Sequence, residues 1–352
     1  MTTTARDVAV VAFAHSRHTA ASSGTTNGVE MLAPVFAELY SQTGLDRTDV
    51  DFWCSGSSDY LAGRAFSFIS AIDSVGAAPS IQESHVEADA AWALAEAWLT
   101  LQSGHGEVAL VYGFGKASAS HDLSATLALQ LDPYTATPLW PGRHHLAALQ
   151  ARAGLDTGAW TEDDMAHVAA RATGREVAEL LAEPRVADPL RAHDCPPVTD
   201  GAAAVVLATG DRARELCERP AWITGLGHAV DSAELGARDL TDSPSAREAA
   251  RLATGGLDGP DLDGVTIAEL HTPYSHQELV LRRALGLGDD VAVTPSGGSL
   301  VADPLFSAGL ERIGYAANDV LEGRAHRVLA HATGGPLLQQ NLVAVMEGRE
   351  RS

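Results

Sequence analysis

The chain reads as an α/β protein whose second part repeats the strand and helix rhythm of its first. Three observations predict this. Short apolar runs alternate with amphipathic helical patterns, the signature of sheets covered by helices. Those runs are apolar almost throughout, as strands buried on both faces are. After Arg219-Pro220 the same scheme begins again, the mark of an internal duplication.

Taken in order, "DVAVVAFA" (Asp7 to Ala14), "VDFWCSG" (Val50 to Gly56), "EVALVYGFG" (Glu107 to Gly115) and "GAAAVVLAT" (Gly201 to Thr209) are predicted strands. Helices are predicted at roughly Val29 to Gly44, Glu87 to Gly104 and Glu162 to Leu181. The polar segment from Ala117 to Gly158, with Pro133, Pro138 and Pro141, is too long for a simple connection and reads as a lid or binding loop. In the second part "AWITGLGHAV" is a strand, "SPSAREAARLAT" a capped helix and "GVTIAELH" a strand. "SHQELVLRRALGL" and "PLFSAGLERIGYAANDVL" are helices, and "RVLAHATGG" and "NLVAVMEG" close the chain as strands. A boundary near Cys217 to Ala221 gives halves of residues 1–217, including the loop region 117–158, and 218–352.

The bulk numbers narrow the function classes. A formal net charge of −22 over 352 residues speaks against nucleic-acid partners and anionic membrane surfaces. The three cysteines, Cys54, Cys195 and Cys217, are odd in number and widely spaced, so neither a disulfide framework nor a metal site is expected. That usage fits a reducing cytoplasm. "MTTTARDVAVVAFAHS" places an acid inside a short apolar run, which suits a strand rather than a signal peptide, and no run reaches the ~20 residues of a membrane span. Lys116 is the sole lysine amid abundant arginine and alanine, the usage of a GC-rich bacterial genome.

Five stretches, in order along nearly the whole chain, resemble the thiolase superfamily, specifically the sterol-carrier-protein-x or lipid-transfer thiolases. They are "SGHGEVALVYGFGK", "CPPVTDGAAAVVLAT", "AELHTPYSHQELVLRRALGL", "TPSGGSLVADPLFSAGLERIG" and "LAHATGGPLLQQNLVAVMEG". The resemblance implies a duplicated five-layer α/β/α/β/α fold, a homo- or heterodimer, and acyl-CoA thioesters as substrates, with no permanently bound cofactor.

The departures from the family pattern carry the chemistry. Counting back from Ser103-Gly104, the family's nucleophilic cysteine falls on Glu87, and none of the three cysteines replaces it by position. Asp303 stands in "VADP" where the family has the histidine that activates that cysteine. His271 is kept where the family stabilises the thioester oxygen as an enolate, Tyr274 follows it, and His331 keeps the histidine of the closing motif as a second donor. The resemblance puts Ser296, Gly297 and Gly298 near bound coenzyme A, and Arg143 is a candidate for its phosphates. The neighbouring His144-His145 pair lacks metal-like partners and reads as loop surface.

Loss of the nucleophile with retention of enolate apparatus resembles the actinobacterial steroid side-chain aldolases of the same branch, which work with a small OB-fold, zinc-ribbon partner. It implies retro-aldol cleavage of a β-hydroxyacyl-CoA, with Tyr274 as acid/base and Asp303 or Glu87 as base. A catalytically silent subunit that scaffolds an active paralogue fits the same losses. Each residue also has a plain structural role open to it: Glu87 and Asp89 as helix-start acids, Asp303 as a cap, Tyr274 as packing.

Overall fold

The computed structural model describes residues 6–20, 27–62, 67–76 and 80–349. Ten strands make the main sheet path: β1 Val8–His15, β2 Phe52–Gly56, β3 Gln82–Val86, β4 Val108–Gly115, β5 Thr199–Thr209, β6 Ala221–Val230, β7 Val265–Leu270, β8 Ala292–Val293, β9 Arg327–Gly334 and β10 Gln340–Gly348. The longer helices are α1 Gly28–Thr43, α2 Ala90–Gln102, α3 His145–Thr157, α4 Glu162–Thr173, α5 Pro244–Thr254, α6 Ser275–Leu285 and α7 Ala308–Leu321.

The spatial order is β8-β7-β9-β10-β6-β1-β5-β4-β2-β3. Numbered within each half, both read 3-2-4-5-1 from the outer edge inward. The pairing senses repeat too. β2 runs parallel to β3 and β4, as β7 does to β8 and β9, and the remaining pairs in each half are antiparallel. The two first strands join the halves through the short antiparallel contact Ala9↔Trp222 and Val10↔Ala221.

Side-chain direction builds the layers. Leu94 and Ala97 of α2 share one core with Leu310 and Ile313 of α7, together with Val111 and Val205 from the first half and Val328 and Ala330 from the second. α2 and α7 therefore form the middle layer. The opposite face of the first half packs Trp53, Leu110 and Val206 on Leu32 and Phe36 of α1. That of the second half packs Leu270, Leu329 and Val343 on Ala249 of α5 and Leu281 of α6. The result is the expected five-layer α/β/α/β/α arrangement. β1 is apolar throughout because it serves both faces: Val8, Val10 and Phe13 face the middle layer, while Ala9, Val11 and Ala12 face α1. A register shift between Val10 and Ala12 moves the alternation by one residue.

Several sequence expectations are corrected. The predicted helix from Glu87 begins only at Ala90, and a strand, β3, precedes it. β3 is the polar stretch "QESHV" at the sheet edge, where half-exposed side chains hide the apolar signal. The helix predicted over Glu162 to Leu181 is two helices, because Gly174 (φ 70°) caps α4 before Val177–Leu181 begins. The segment Ala117 to Gly158 ends in a helix, α3, rather than in loop.

Glycines set how closely the halves approach. A Cβ on Gly115, at the end of β4, would lie 1.6 Å from the carbonyl oxygen of Pro304, the residue after Asp303. Gly115→Ala is therefore expected to destabilise the protein by about 1–3 kcal/mol through overpacking. A urea unfolding midpoint equal to wild type would show that this contact is not tight.

Candidate active site

The C-terminal ends of the parallel strands in both halves converge on a cavity of about 600 Å³. The N-termini of the two middle-layer helices open onto it, and the described part of the Ala117 to Gly158 segment supplies a wall through Leu127, Leu131, Arg143 and Leu146.

Asp89, between β3 and α2, is buried and is the N-cap of α2, accepting from the Ala91 amide at 2.8 Å. The same carboxylate accepts from the amides of Gly309 (2.8 Å) and Leu310 (3.1 Å) in the first turn of α7. Ser307, the N-cap residue of α7, gives that helix no side-chain cap bond, so Asp89 caps both helices. Burial raises Asp89 to about 7, against the three amide bonds that pull it down.

Glu87 stays in the cavity wall but is half-exposed; its carboxylate accepts from the Asp59 amide at 2.8 Å and lies 3.7 Å from His85. It precedes the helix and is not part of its first turn. Asp303 is buried in the wall, accepting from the Leu305 amide at 3.1 Å. Its backbone is pinned by Pro197 and Thr199. Burial raises its carboxyl to about 6; the Leu305 bond lowers it, the Glu311 charge raises it, and Arg143 and Arg312 lower it.

His271, just beyond β7, also lines the cavity and is buried. Its Nδ1 accepts from the Thr333 amide at 3.4 Å, which puts the proton of a neutral ring on Nε2. Burial, with His331 and Arg312 nearby, lowers it to about 3, so the ring is neutral above that pH. Tyr274 lines the cavity with its hydroxyl donating to the Arg143 carbonyl at 3.0 Å and 3.1 Å from His144 Nδ1. Burial raises its phenol well above the usual range, and the Asp303 charge adds to this.

Two expected sites lie elsewhere. His331 is fully buried in β9, with Nε2 2.8 Å from Asn341 Oδ1, and it is not part of the cavity wall; Thr333 and Gly334 from the same strand are. The turn Ser296–Gly298 does not line the cavity either. Ser296 bonds both oxygens of the Glu269 carboxylate, at 2.7 and 3.1 Å, beside Arg312. Gly297 (φ 86°) and Gly298 (φ 60°) satisfy a left-handed turn there. Arg143 does line the cavity.

The sequence reading missed two groups. Asp89 reads in sequence as a helix-start acid, and no local pattern points to its bonds to α7. His144, read as loop surface, is half-buried and joins Arg143 to Tyr274. None of the cysteines lines the cavity: Cys54 and Cys195 are buried and Cys217 lies beside α1's core, and burial raises all three thiols. Among the described residues, no group of three or more His, Cys, Asp or Glu side chains is arranged to hold a metal, and no helix is long and apolar enough to cross a membrane.

No protein-family model matches the chain. It is 31% identical over 155 residues to an acetyl-CoA acetyltransferase of Methanothermobacter thermautotrophicus, covering 38% of this chain and 40% of that protein. It is 29% identical over 110 residues to an acetyl-CoA acetyltransferase of Methanocaldococcus jannaschii, covering 31% and 28%. The matched stretches thus span less than half of each relative. Among solved structures, human mitochondrial 3-ketoacyl-CoA thiolase superposes with a TM-score of 0.80 at 15% identity, over 98% of this chain and 99% of that one. The Bacillus anthracis acetyl-CoA acetyltransferase gives 0.80 at 15%, over 99% and 100%. The human thiolase in complex with CoA gives 0.76 at 16%, over 98% of each.

Removing the shared cap tests the site's frame. Asp89→Ala should lower stability by about 1–4 kcal/mol, the worth of two caps. Folded Asp89 keeps its proton up to about 7, whereas the unfolded carboxyl loses it near 4. Wild-type stability relative to Asp89→Asn should therefore be greatest below about pH 4 and decline as pH rises to 7. A pH-independent difference in urea midpoints would refute the raised value. By fold the chain is thiolase-like, and part of its sequence is similar to acetyl-CoA acetyltransferases.

Proposed function

We propose that the chain cleaves a β-hydroxyacyl-CoA by a retro-aldol reaction, with no covalent acyl-enzyme. The observation that carries this reading is the cavity's chemistry: a buried carboxylate, a neutral imidazole donor and a phenol line it, and no cysteine does. Asp303 takes the β-hydroxyl proton, and the O–H electrons become the carbonyl of the departing ketone or aldehyde. The Cα–Cβ bond breaks, and its electrons pass into the thioester enolate. His271 Nε2–H and the Tyr274 hydroxyl donate to that oxygen. Asp303 then returns its proton to Cα, releasing the shortened acyl-CoA.

A carboxyl near 6 suits this task, being mostly ionised at neutral pH yet more basic than an ordinary aspartate. Apolar lining from Trp92, Leu131, Leu146 and Phe306 in a space of about 600 Å³ favours a bulky, steroid-like acyl group. Assembly as a dimer, with an OB-fold, zinc-ribbon partner, belongs to the same proposal and rests on the family resemblance.

A second reading, a catalytically silent subunit beside an active paralogue, draws support from charge. Among the described residues, Glu87, Asp89, Asp132 and Asp303 line the cavity against the single cation Arg143, which gives coenzyme A's phosphates little to hold.

Incubation with a steroid β-hydroxyacyl-CoA, following release of acetyl- or propionyl-CoA, separates the two. For the aldolase, kcat should rise with pH through about 6 as Asp303 ionises, and Asp303→Asn should lower it on the order of 10²- to 10⁴-fold. Intact-mass measurement should find no acyl adduct on the protein. Cleavage only in complex with a thiolase-fold partner, unaffected by changes at Asp303, His271 and Tyr274, would instead establish the scaffold.

A further inference from the structure

We infer that His144, oriented by Arg143, is the positioning residue that holds the Tyr274 hydroxyl as a directed hydrogen-bond donor. This rests on the use of Tyr274 in the proposed cleavage.

The proton positions follow from the partners. Arg143 Nε lies 3.1 Å from His144 Nε2, and a guanidinium can only donate, so Nε2 is the acceptor. The neutral ring then carries its proton on Nδ1, which lies 3.1 Å from the Tyr274 oxygen and donates to it. The phenol's own proton is directed to the Arg143 carbonyl at 3.0 Å. Arg143 thus begins and ends a closed loop of three hydrogen bonds, in which each donor strengthens the next. An arriving substrate oxygen exchanges with the Arg143 carbonyl as acceptor, while the His144 N–H keeps the phenol oxygen in place and polarises its O–H. Burial first, then the charges of Arg143 and His145, lower His144 to about 4, so the loop is intact at neutral pH.

Local structure gives an independent reason. His144 occupies the N-cap position of α3, where Ser, Thr, Asp or Asn serves best, and its side chain makes no cap bond. Its neighbour His145 is engaged locally, with Nδ1 accepting from the Gly142 amide at 2.9 Å. A residue poorly suited to its helix position yet bonded to Tyr274, 130 positions away, serves the long-range contact.

The substitution His144→Ser separates the two roles, because serine caps the helix but cannot reach Tyr274. The urea midpoint should be unchanged or raised, while kcat falls roughly 10- to 100-fold, as for loss of an orienting partner, with KM little changed. An unchanged kcat, or a fall matched by loss of stability, would overturn the inference. Long-range ¹H–¹⁵N spectra of the imidazoles decide it without any activity. Identified by its absence in His144→Ser, the ring should be the Nδ1–H tautomer, stay neutral well below the ordinary range, and shift in Tyr274→Phe. An Nε2–H tautomer, ordinary titration, or indifference to Tyr274→Phe would sink it. Wild-type protein that cleaves nothing, alone or in complex, while the spectra match, would remove the aldolase reading and leave the His144–Tyr274 pairing established.

Discussion

The carboxylate of Asp89 joins the N-termini of α2 and α7, and the arrangement of the cavity depends on that junction. Two helices that meet end to end in the middle layer leave orphaned amides and two positive dipole ends in one place. A single buried carboxylate answers both. The packing around it is correspondingly intolerant: a Cβ on Gly309 would lie 2.6 Å from Asp89 Oδ1, and one on Gly56 would lie 2.5 Å from the Ala90 Cα. Small residues at those points let β2 and α7 close on the junction. The loops that carry Glu87 and Asp303 then hang from a fixed frame.

Buried ion pairs brace the flanks. Arg312 of α7 reaches Glu269 of β7 at 3.1 Å and Glu311 at 3.5 Å, while Glu311 meets His18 at 2.9 Å. Lys116, the lone lysine, is buried against Asp200 at 2.9 Å where the wall segment leaves β4. Breaking such a pair strands a charge in the interior at a cost of about 3–5 kcal/mol, so these contacts specify position more than they add stability. Glu269 also explains the glycine turn. It accepts from Ser296, and the "PSGG" segment lies outside the cavity wall.

How much of this was legible depended on range. Strands such as Val108–Gly115 and helices such as Pro244–Thr254 announce themselves through local apolar pattern and caps, and the duplicated α/β rhythm follows from them, whereas the five-layer arrangement came from the family resemblance. β3 escaped because an edge strand needs few apolar side chains. α3 escaped because Pro138, Pro141 and Gly142 just before it read as continuing loop. At the site, His271, Tyr274, Asp303 and Glu87 stand at positions read from the family motifs and Arg143 was named for its charge alone; all five share one cavity. The double cap of Asp89 joins residues 220 positions apart, and the His144 contact spans 130. No local pattern encodes such contacts. His331 misled because a motif position shows that a side chain is present, not whether a partner such as Asn341 already occupies it.

The ionisable groups whose environment is set mainly by burial at the cavity obey one physical trend. Burial moves the acids Asp89 and Asp303 up, to about 7 and about 6, and the imidazoles His271 and His144 down, to about 3 and about 4. Both families are driven toward their neutral forms because a low-dielectric interior penalises charge of either sign. A thiolate would meet the same penalty here, and the thiols present are all pushed up. Near neutral pH the carboxylates become the ionised bases while the imidazoles remain uncharged donors. In the proposed cleavage, that division leaves proton acceptance to Asp303 and oxygen stabilisation to His271 without a charged pair having to form. A buried acid can give and take a proton near pH 6 to 7, whereas an uncompensated buried thiol cannot ionise there at all.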